Sequence, residues 1–351
     1  MARRDRASGR RTLSALALPD RLRFLWQRAR GFDVASVTER AKKTARIHGK
    51  SYPLVLTDML WSAGFRRVGF NDYIEFDFAI LNRAERATWV TSPLALELSK
   101  KYDDPDFVHH FHHKIEFNRL FDRFLGREWL DLEQADAEDL RAFAQRHPVL
   151  IGKMPVSKSG FGVSRYHAAD IDDWDAFHAD LVAKGEVLVE EGIIQHPTLE
   201  AIAPGTANTT RVTTFVKDDG TVEIVNMAQK FGRGKVSDQG AFGGFYTALH
   251  EDGRAMGMGY DIQGELYETH PDTGARIADY RLPDMDAVRS LISEVALVVP
   301  QVRYVGWDIV ATAKGPVLVE GNWGAGVFEN KPTATGIRHG HLPRYRAAMG
   351  F

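Results

Sequence analysis

The chain predicts an α+β protein of two lobes, preceded by a mainly helical N-terminal region. Up to about residue 126, apolar residues recur at helical spacing. Beyond it, short β-branched runs alternate with Gly, Asp and Pro turns. These strands fall into two blocks with helices beside them, the pattern of an α+β arrangement.

Taken in order, Asp33–Gly49, Tyr52–Gly64, Pro93–Tyr102 and Asp106–Leu125 read as helices. Trp129–Leu132 reads as a strand, and Asp136–His147 as a helix capped by Asp136 and stopped before Pro148. Val149–Ile151 and Val163–Tyr166 are strands around the Gly/Ser loop Ser157–Gly162. Asp172–Lys184 is a helix ending at Gly185, and Val187–Val189 is a strand. Residues 208–231 form a hairpin turned by Asp218-Asp219-Gly220, and Asp284–Val299 is the last long helix. The expected division is a basic arm over 1–50, a helical region over 51–128, a small lobe over 129–195 and a large lobe over 196–351.

The 351 residues suffice for two or three compact lobes. With 44% hydrophobic and 26% charged residues, the composition is that of a globular protein. The absence of cysteine excludes disulfides, thiolate metal sites and a cysteine nucleophile. A formal net charge of -2 hides an asymmetry: residues 1–50 hold 14 Lys/Arg against 4 Asp/Glu, a local +10. This arm is a candidate for weak contact with an acidic membrane surface. The charge of the rest, -12, weighs against nucleic acid as a partner. Gly9-Arg10-Arg11 mimics a twin-arginine export signal. The apolar run Leu13–Leu18 is too short for one and ends in Pro19-Asp20, so a cytoplasmic location is expected.

The chemistry concentrates near the C-terminus. Gly306-Trp307-Asp308 and Glu320-Gly321-Asn322 read as two strands turned at Lys314-Gly315-Pro316. Glu320 and Asn322 share one face of their strand, with Asp308 within reach. Two carboxylates and an amide oxygen make a hard oxygen set suited to Mg²⁺. Upstream, Lys153 ends a strand just before a Gly/Ser loop that could cradle phosphate, although no helix opens on a G-K-[ST] sequence as in a Walker A loop. Val187-Leu188-Val189-Glu190-Glu191-Gly192-Ile193 is an apolar strand running into an extended segment that could hold adenine. Arg211, inside the strand Asn208–Phe215, needs an anionic partner: a triphosphate is a suitable one, and one of the chain's own acids is the alternative. His109, His110, His112 and His113 lack a completing carboxylate motif and read as helix-surface or core residues rather than a zinc site.

In this order the segments resemble the ATP-grasp fold, specifically the sugar-transfer-associated ATP-grasp family. The most specific pieces are Asn208-Thr209-Thr210-Arg211, Val305–Ile309 and Val319–Asn322. Glu190–Pro197 and His270–Gly274 are also family-like. The resemblance implies two α+β lobes clasping ATP, with one or two Mg²⁺ ions on Asp308, Glu320 and Asn322. It implies Lys153 and Lys114 on the phosphates, and Ser157, Ser159, Gly160 and Gly162 as the phosphate loop. Glu190, Glu191 and Ile193 would line the adenine site. Arg211 would steady the γ-phosphate or an acyl-phosphate, with Arg211 and Lys153 as the catalytic pair. Lys230, Arg233 and Lys235, with Gly232, Gly234, Gly243 and Gly244, would face the substrate. The chain departs from the family at Ser237-Asp238-Gln239, where Asp-Asn is common.

The expected activity is an ATP-dependent carboxylate–amine ligase acting on small molecules, with a sugar or an amino acid among the candidate substrates and polysaccharide biosynthesis as the setting. A small-molecule kinase on the same fold is the alternative. A non-catalytic nucleotide-binding module is the further rival, disfavoured because no metal ligand is missing.

Overall fold

The computed structural model describes residues 34–157 and 160–351. Two compact units divide them, the first ending at Arg66 and the second running from Arg67 to Phe351. The boundary therefore lies inside the expected helical region 51–128.

The first unit is a pair of helices, α1 (Val34–Ile47) and α2 (Tyr52–Phe65). Pro53 in the first turn of α2 fits there because its missing N–H would have no helical partner.

The second unit opens with short helices α3 (Phe70–Glu75) and α4 (Arg83–Arg86), then α5 (Ser92–Tyr102). The expected helix Asp106–Leu125 is two elements: a 3-10 turn over Val108–Phe111, then α6 (Lys114–Leu125). His113 is the N-cap residue of α6, so the four histidines do not share one helix. Phe117, Phe121 and Phe124 form the buried stripe of α6, and Gly126 ends it in the left-handed conformation.

Four antiparallel strands build the small sheet, in the order β1-β4-β2-β3: β1 (Trp129–Asp131), β2 (Val149–Lys153), β3 (Val163–His167) and β4 (Leu188–Glu191). Helices α7 (Ala137–Arg146) and α8 (Trp174–Lys184) belong to this lobe. The Asp136 carboxylate caps α7 by accepting from the N–H groups of Glu138 and Asp139 at 2.9 and 3.0 Å. Leu150 and Val189 join Leu140, Phe143 and Leu181 in the lobe's core. Alternation along the strands leaves Ile151, Lys153 and Glu190 on the opposite face.

After α9 (Pro197–Ile202) comes a seven-stranded antiparallel sheet, ordered β11-β10-β5-β6-β7-β8-β9. Its strands are β5 (Thr210–Val216), β6 (Val222–Phe231), β7 (Phe245–Ala248), β8 (Gly259–Tyr260), β9 (Leu266–Tyr267), β10 (Tyr304–Thr312) and β11 (Gly315–Trp323). Helix α10 (Met285–Ala296) precedes β10. Val212, Met227, Trp307, Ile309 and Leu318 pack on α6 and α10. The alternate residues Arg211 and Asp308 therefore face away from that core. The β10–β11 turn is Ala313-Lys314, so Gly315 and Pro316 are already strand. Short helices α11 (Pro332–Thr335) and α12 (Leu342–Met349) close the chain.

Candidate nucleotide and metal site

Strand register builds the centre of the site. Asp308 on β10 sits opposite Glu320 on β11 and opposite Arg211 on β5. Asn322 stands two residues beyond Glu320 on the same face. Its Nδ2 reaches Glu320 Oε1 at 3.1 Å and Asp308 Oδ2 at 3.5 Å. The three predicted ligands thus form one cluster across two strands.

Asp308 is 2% exposed, and cations hold its charge in place. The Arg211 guanidinium donates to both carboxylate oxygens, Nε at 2.7 Å and Nη2 at 2.9 Å. Lys230 Nζ donates to Oδ1 at 2.9 Å. Burial pushes this carboxyl up, but Arg211 and Lys230 outweigh it and hold it well below the usual carboxylate range. The Phe328 ring covers both cations, with its centroid 5.1 Å from Arg211 Cζ and 5.7 Å from Lys230 Nζ. Lys230 was expected on the substrate side; the structure places it on Asp308, buried beside Arg211.

A second buried carboxylate organises the small lobe. Glu190 is paired with Lys153, accepts from Asn118 Nδ2 at 2.8 Å, and receives Arg127 Nε at 2.7 Å and Nη2 at 3.0 Å. Arg127 also donates to the Leu318 carbonyl at 2.6 Å and the Val319 carbonyl at 3.4 Å. The sequence Lys153–Glu190–Arg127–Val319 is therefore a physical link between the lobes, ending one residue from Glu320. Burial raises the Glu190 carboxyl, and Arg127 and Lys153 bring it far below its ordinary value. Arg127 escaped the sequence reading because its partners lie 63 and 191 residues away. Only its place directly after the helix-ending Gly126 could have hinted at a fixed position. Phe328 also carried no local signal.

Lys114 begins α6 and clips the Gly/Ser loop. Its Nζ donates to Ser157 Oγ at 2.8 Å and to the Ser157 carbonyl at 3.1 Å. Burial lowers its pKa, with Glu320 opposing that shift. Gly160 and Gly162 both take positive φ, +76° and +64°. A Cβ on Gly160 would lie 2.4 Å from Ser237 Oγ of the large lobe, so the close approach itself requires glycine. The Phe161 and Phe242 rings meet nearby, with centroids 5.8 Å apart. Ser159 lies outside the described residues.

At the hinge, Glu191 and Ile193 are half-buried and Ile194 is 84% exposed. The Glu191 carboxylate accepts from the Glu128 backbone N–H at 3.1 Å. The Glu190 side chain points instead into the ion network.

The glycine-rich region forms a separate cavity of about 500 Å³, lined by Arg233, Lys235, Phe242, Gly243, His270 and Asp272 among others. Arg233 is held there by Asp272, with Nε at 3.0 Å from Oδ2. Asp238, beside this loop, accepts from the Thr209 N–H and hydroxyl at 2.7 and 2.6 Å; burial raises its pKa. The Gln239 carbonyl accepts from the Phe242 and Gly244 N–H groups and so shapes the turn by its backbone. Gly244 has no room for a side chain, since a Cβ would fall 2.0 Å from the Asp238 carbonyl oxygen.

Among the described residues, no three His, Asp or Glu residues come together as a metal site. The cluster at Asp308 relies on an amide for its third donor.

Residues 177–339 match the model of the sugar-transfer associated ATP-grasp family. Among solved structures, the ATP-grasp ligase PsnB complexed with minimal precursor, Mg and ADP is similar over 74% of this chain and 66% of its own, at 15% identity and a TM-score of 0.40. D-alanyl-alanine synthetase A from Vibrio cholerae is similar over 68% and 61%, at 13% identity and a TM-score of 0.38. The ADP complex of purK, N5-carboxyaminoimidazole ribonucleotide synthetase, is similar over 65% and 49%, at 10% identity and a TM-score of 0.36. The chain thus spans less than two thirds of the length of each of these proteins. No curated protein matches the chain. Residues 177–339, a little under half of the chain, thus carry the similarity to the sugar-transfer associated ATP-grasp family.

Proposed function

We propose that the chain is an ATP-dependent ligase that joins a carboxylate to an amine through an acyl-phosphate. The observation that carries this reading is the convergence of two cation–carboxylate networks from opposite lobes. Lys153 and Arg127 are fixed by Glu190, and Arg211 and Lys230 are fixed by Asp308. Phosphoryl transfer asks a protein mainly for positioned positive charge, and these networks supply it without covalent chemistry.

The donor set fits a hard divalent cation. Asp308 and Glu320 offer carboxylate oxygens, and a flip of the Asn322 amide would bring its oxygen to where Nδ2 now faces them. One or two Mg²⁺ ions held there would neutralise phosphate oxygens and favour departure of ADP. Lys153 and Lys114 would hold the inner phosphates under the loop of Ser157, Ser159, Gly160 and Gly162. Arg211 would bind the γ-phosphate and then the acyl-phosphate, while Glu191 and Ile193 border the adenine.

In the first step a carboxylate oxygen attacks the γ-phosphorus and the bond to the ADP oxygen breaks. In the second the amine attacks the acyl carbon, phosphate leaves and the amine gives up its proton. Arg233 and Lys235 give the 500 Å³ cavity positive groups for a small anionic substrate. Among the described residues, no helix is long and apolar enough to cross a membrane. We place the reaction in the cytoplasm, with sugar or amino-acid substrates as the first to try.

The test is ATP turnover with Mg²⁺ against a panel of carboxylates and amines, with mass spectrometry of products. Substrate-dependent ADP release together with an amide lighter than its two parents by one water supports the ligase. A stable phosphoester would replace it with the kinase.

A further inference from the structure

The second helix of the first unit exposes several large apolar side chains. On α2, Val55, Met59 and Ser62 face inward. The outer side carries Leu54, Leu60, Trp61 and Phe65, which are 71%, 42%, 52% and 64% exposed. Leu54, Trp61 and Phe65 are spaced i, i+7 and i+11, so they line up along one side of the helix. The Trp61 and Phe65 rings lie side by side, tilted by 30°, with centroids 4.2 Å apart. Single exposed apolar residues are ordinary, but a row of large ones marks a docking face.

Charge identifies the occupant. Residues 1–66 hold 15 Lys/Arg and 5 Asp/Glu, a net +10, whereas residues 67–351 hold 30 and 42, a net -12. Helix α1 exposes Lys42 and Arg46, and its single acid, Glu39, pairs with Lys42 at 2.8 Å. A nucleic-acid surface would use the positive charge but has no need of a row of large apolar side chains flanked by another. An anionic bilayer uses both, taking Trp, Phe and Leu at the acyl boundary and Lys/Arg at the headgroups.

We propose that the α1–α2 unit docks on an anionic lipid surface through Leu54, Leu60, Trp61 and Phe65. This inference stands apart from the ligase reading, since none of its residues belongs to the nucleotide site.

The experiment is co-sedimentation of the full chain with vesicles of phosphatidylcholine alone and of phosphatidylcholine with phosphatidylglycerol. Binding to the anionic vesicles is expected, weakening as salt rises. The double variant Trp61→Ser/Phe65→Ser should lower partitioning by at least about tenfold, because burial of each ring is worth that much. The pair Lys42→Gln/Arg46→Gln should weaken binding to anionic vesicles while leaving the apolar row intact. Both variants alter exposed side chains, so an unchanged melting temperature without vesicles is expected. Four results would overturn the proposal: no sedimentation with anionic vesicles, equal binding to neutral ones, a dimer that the double variant dissociates, or retention on duplex DNA only. A melting temperature that drops in the double variant without lipid would also do so, placing the row under another part of the chain.

Discussion

Lys230 and Asp308 come from strands two places apart in the large sheet, yet Lys230 Nζ lies 2.9 Å from Asp308 Oδ1. The same oxygen already accepts from Arg211 Nε at 2.7 Å. Both cations would compete with a metal for this carboxylate. Phosphate oxygens can relieve that competition by drawing Arg211 and Lys230 onto themselves. Mn²⁺ alone should therefore bind the wild type weakly, and much more tightly with a non-hydrolysable ATP analogue present. Lys230→Met should strengthen binding of Mn²⁺ alone by about tenfold, one cation's worth of partly buried attraction. Titration followed by electron paramagnetic resonance reads this directly. Unchanged Mn²⁺ affinity in the variant would show that Lys230 does not guard the site.

Glu190 should matter to stability out of proportion to its size. Replacing it by Gln leaves Arg127 and Lys153 buried without their carboxylate, a loss of about 3–5 kcal/mol. Its folded pKa is depressed, so its contribution is present above the unfolded value of about 4.3 and is lost as pH falls below it. Urea unfolding at pH 7 and pH 3 should show a wide gap between wild type and Glu190→Gln at pH 7, narrowing at pH 3.

Glu75 works in the opposite sense. It is buried 6% exposed, hydrogen-bonded by Tyr246, and burial lifts its pKa to about 7. Asp72 and Asp261 add to the rise, and Tyr246 and Lys331 oppose it. The folded protein therefore holds this proton more tightly than the unfolded chain. The stabilisation is complete below about pH 4 and disappears as pH climbs to 7, a swing of about 3 kcal/mol. Glu75→Gln keeps an acceptor for the tyrosine and should be more stable than wild type at pH 8. The advantage should vanish at pH 4, as measured by urea unfolding.

Gly306 is required by its neighbour rather than by its own backbone angles. A Cβ there would sit 2.8 Å from Arg211 Nη1 and 3.0 Å from Cδ. Arg211 has little freedom to withdraw, being tied to Asp308 and covered by Phe328. Gly306→Ala should leave the far-ultraviolet spectrum intact and weaken binding of a non-hydrolysable ATP analogue by about tenfold or more, as a misplaced charged donor does, while ADP binding changes less. Calorimetric titration with the ATP analogue and with ADP, each with Mg²⁺, checks it.

The parts legible in the sequence were those whose partners are near in the chain. Asp308, Glu320 and Asn322 stand on one hairpin, so period-two spacing alone brings them together. The Asp136 cap and the helix stop at Gly185 are similarly local. Arg127 and Glu75 were not legible, because each acquires its meaning from partners far along the chain, such as Leu318 and Tyr246. Helices α9, α11 and α12 were missed because they are short and begin at or beside a proline, which reads equally well as a turn. Lys230 was read with its glycine-rich neighbours, whereas strand alternation turns it inward to Asp308.

The most direct test of the central claim is calorimetric binding of ADP with Mg²⁺ to the wild type and to Glu320→Ala. The site described here predicts binding that depends on Mg²⁺ in the wild type, and loss of that dependence in the variant. Equal, Mg²⁺-dependent binding in both proteins would contradict the placement of the metal on Glu320 and, with it, the proposed arrangement for phosphoryl transfer.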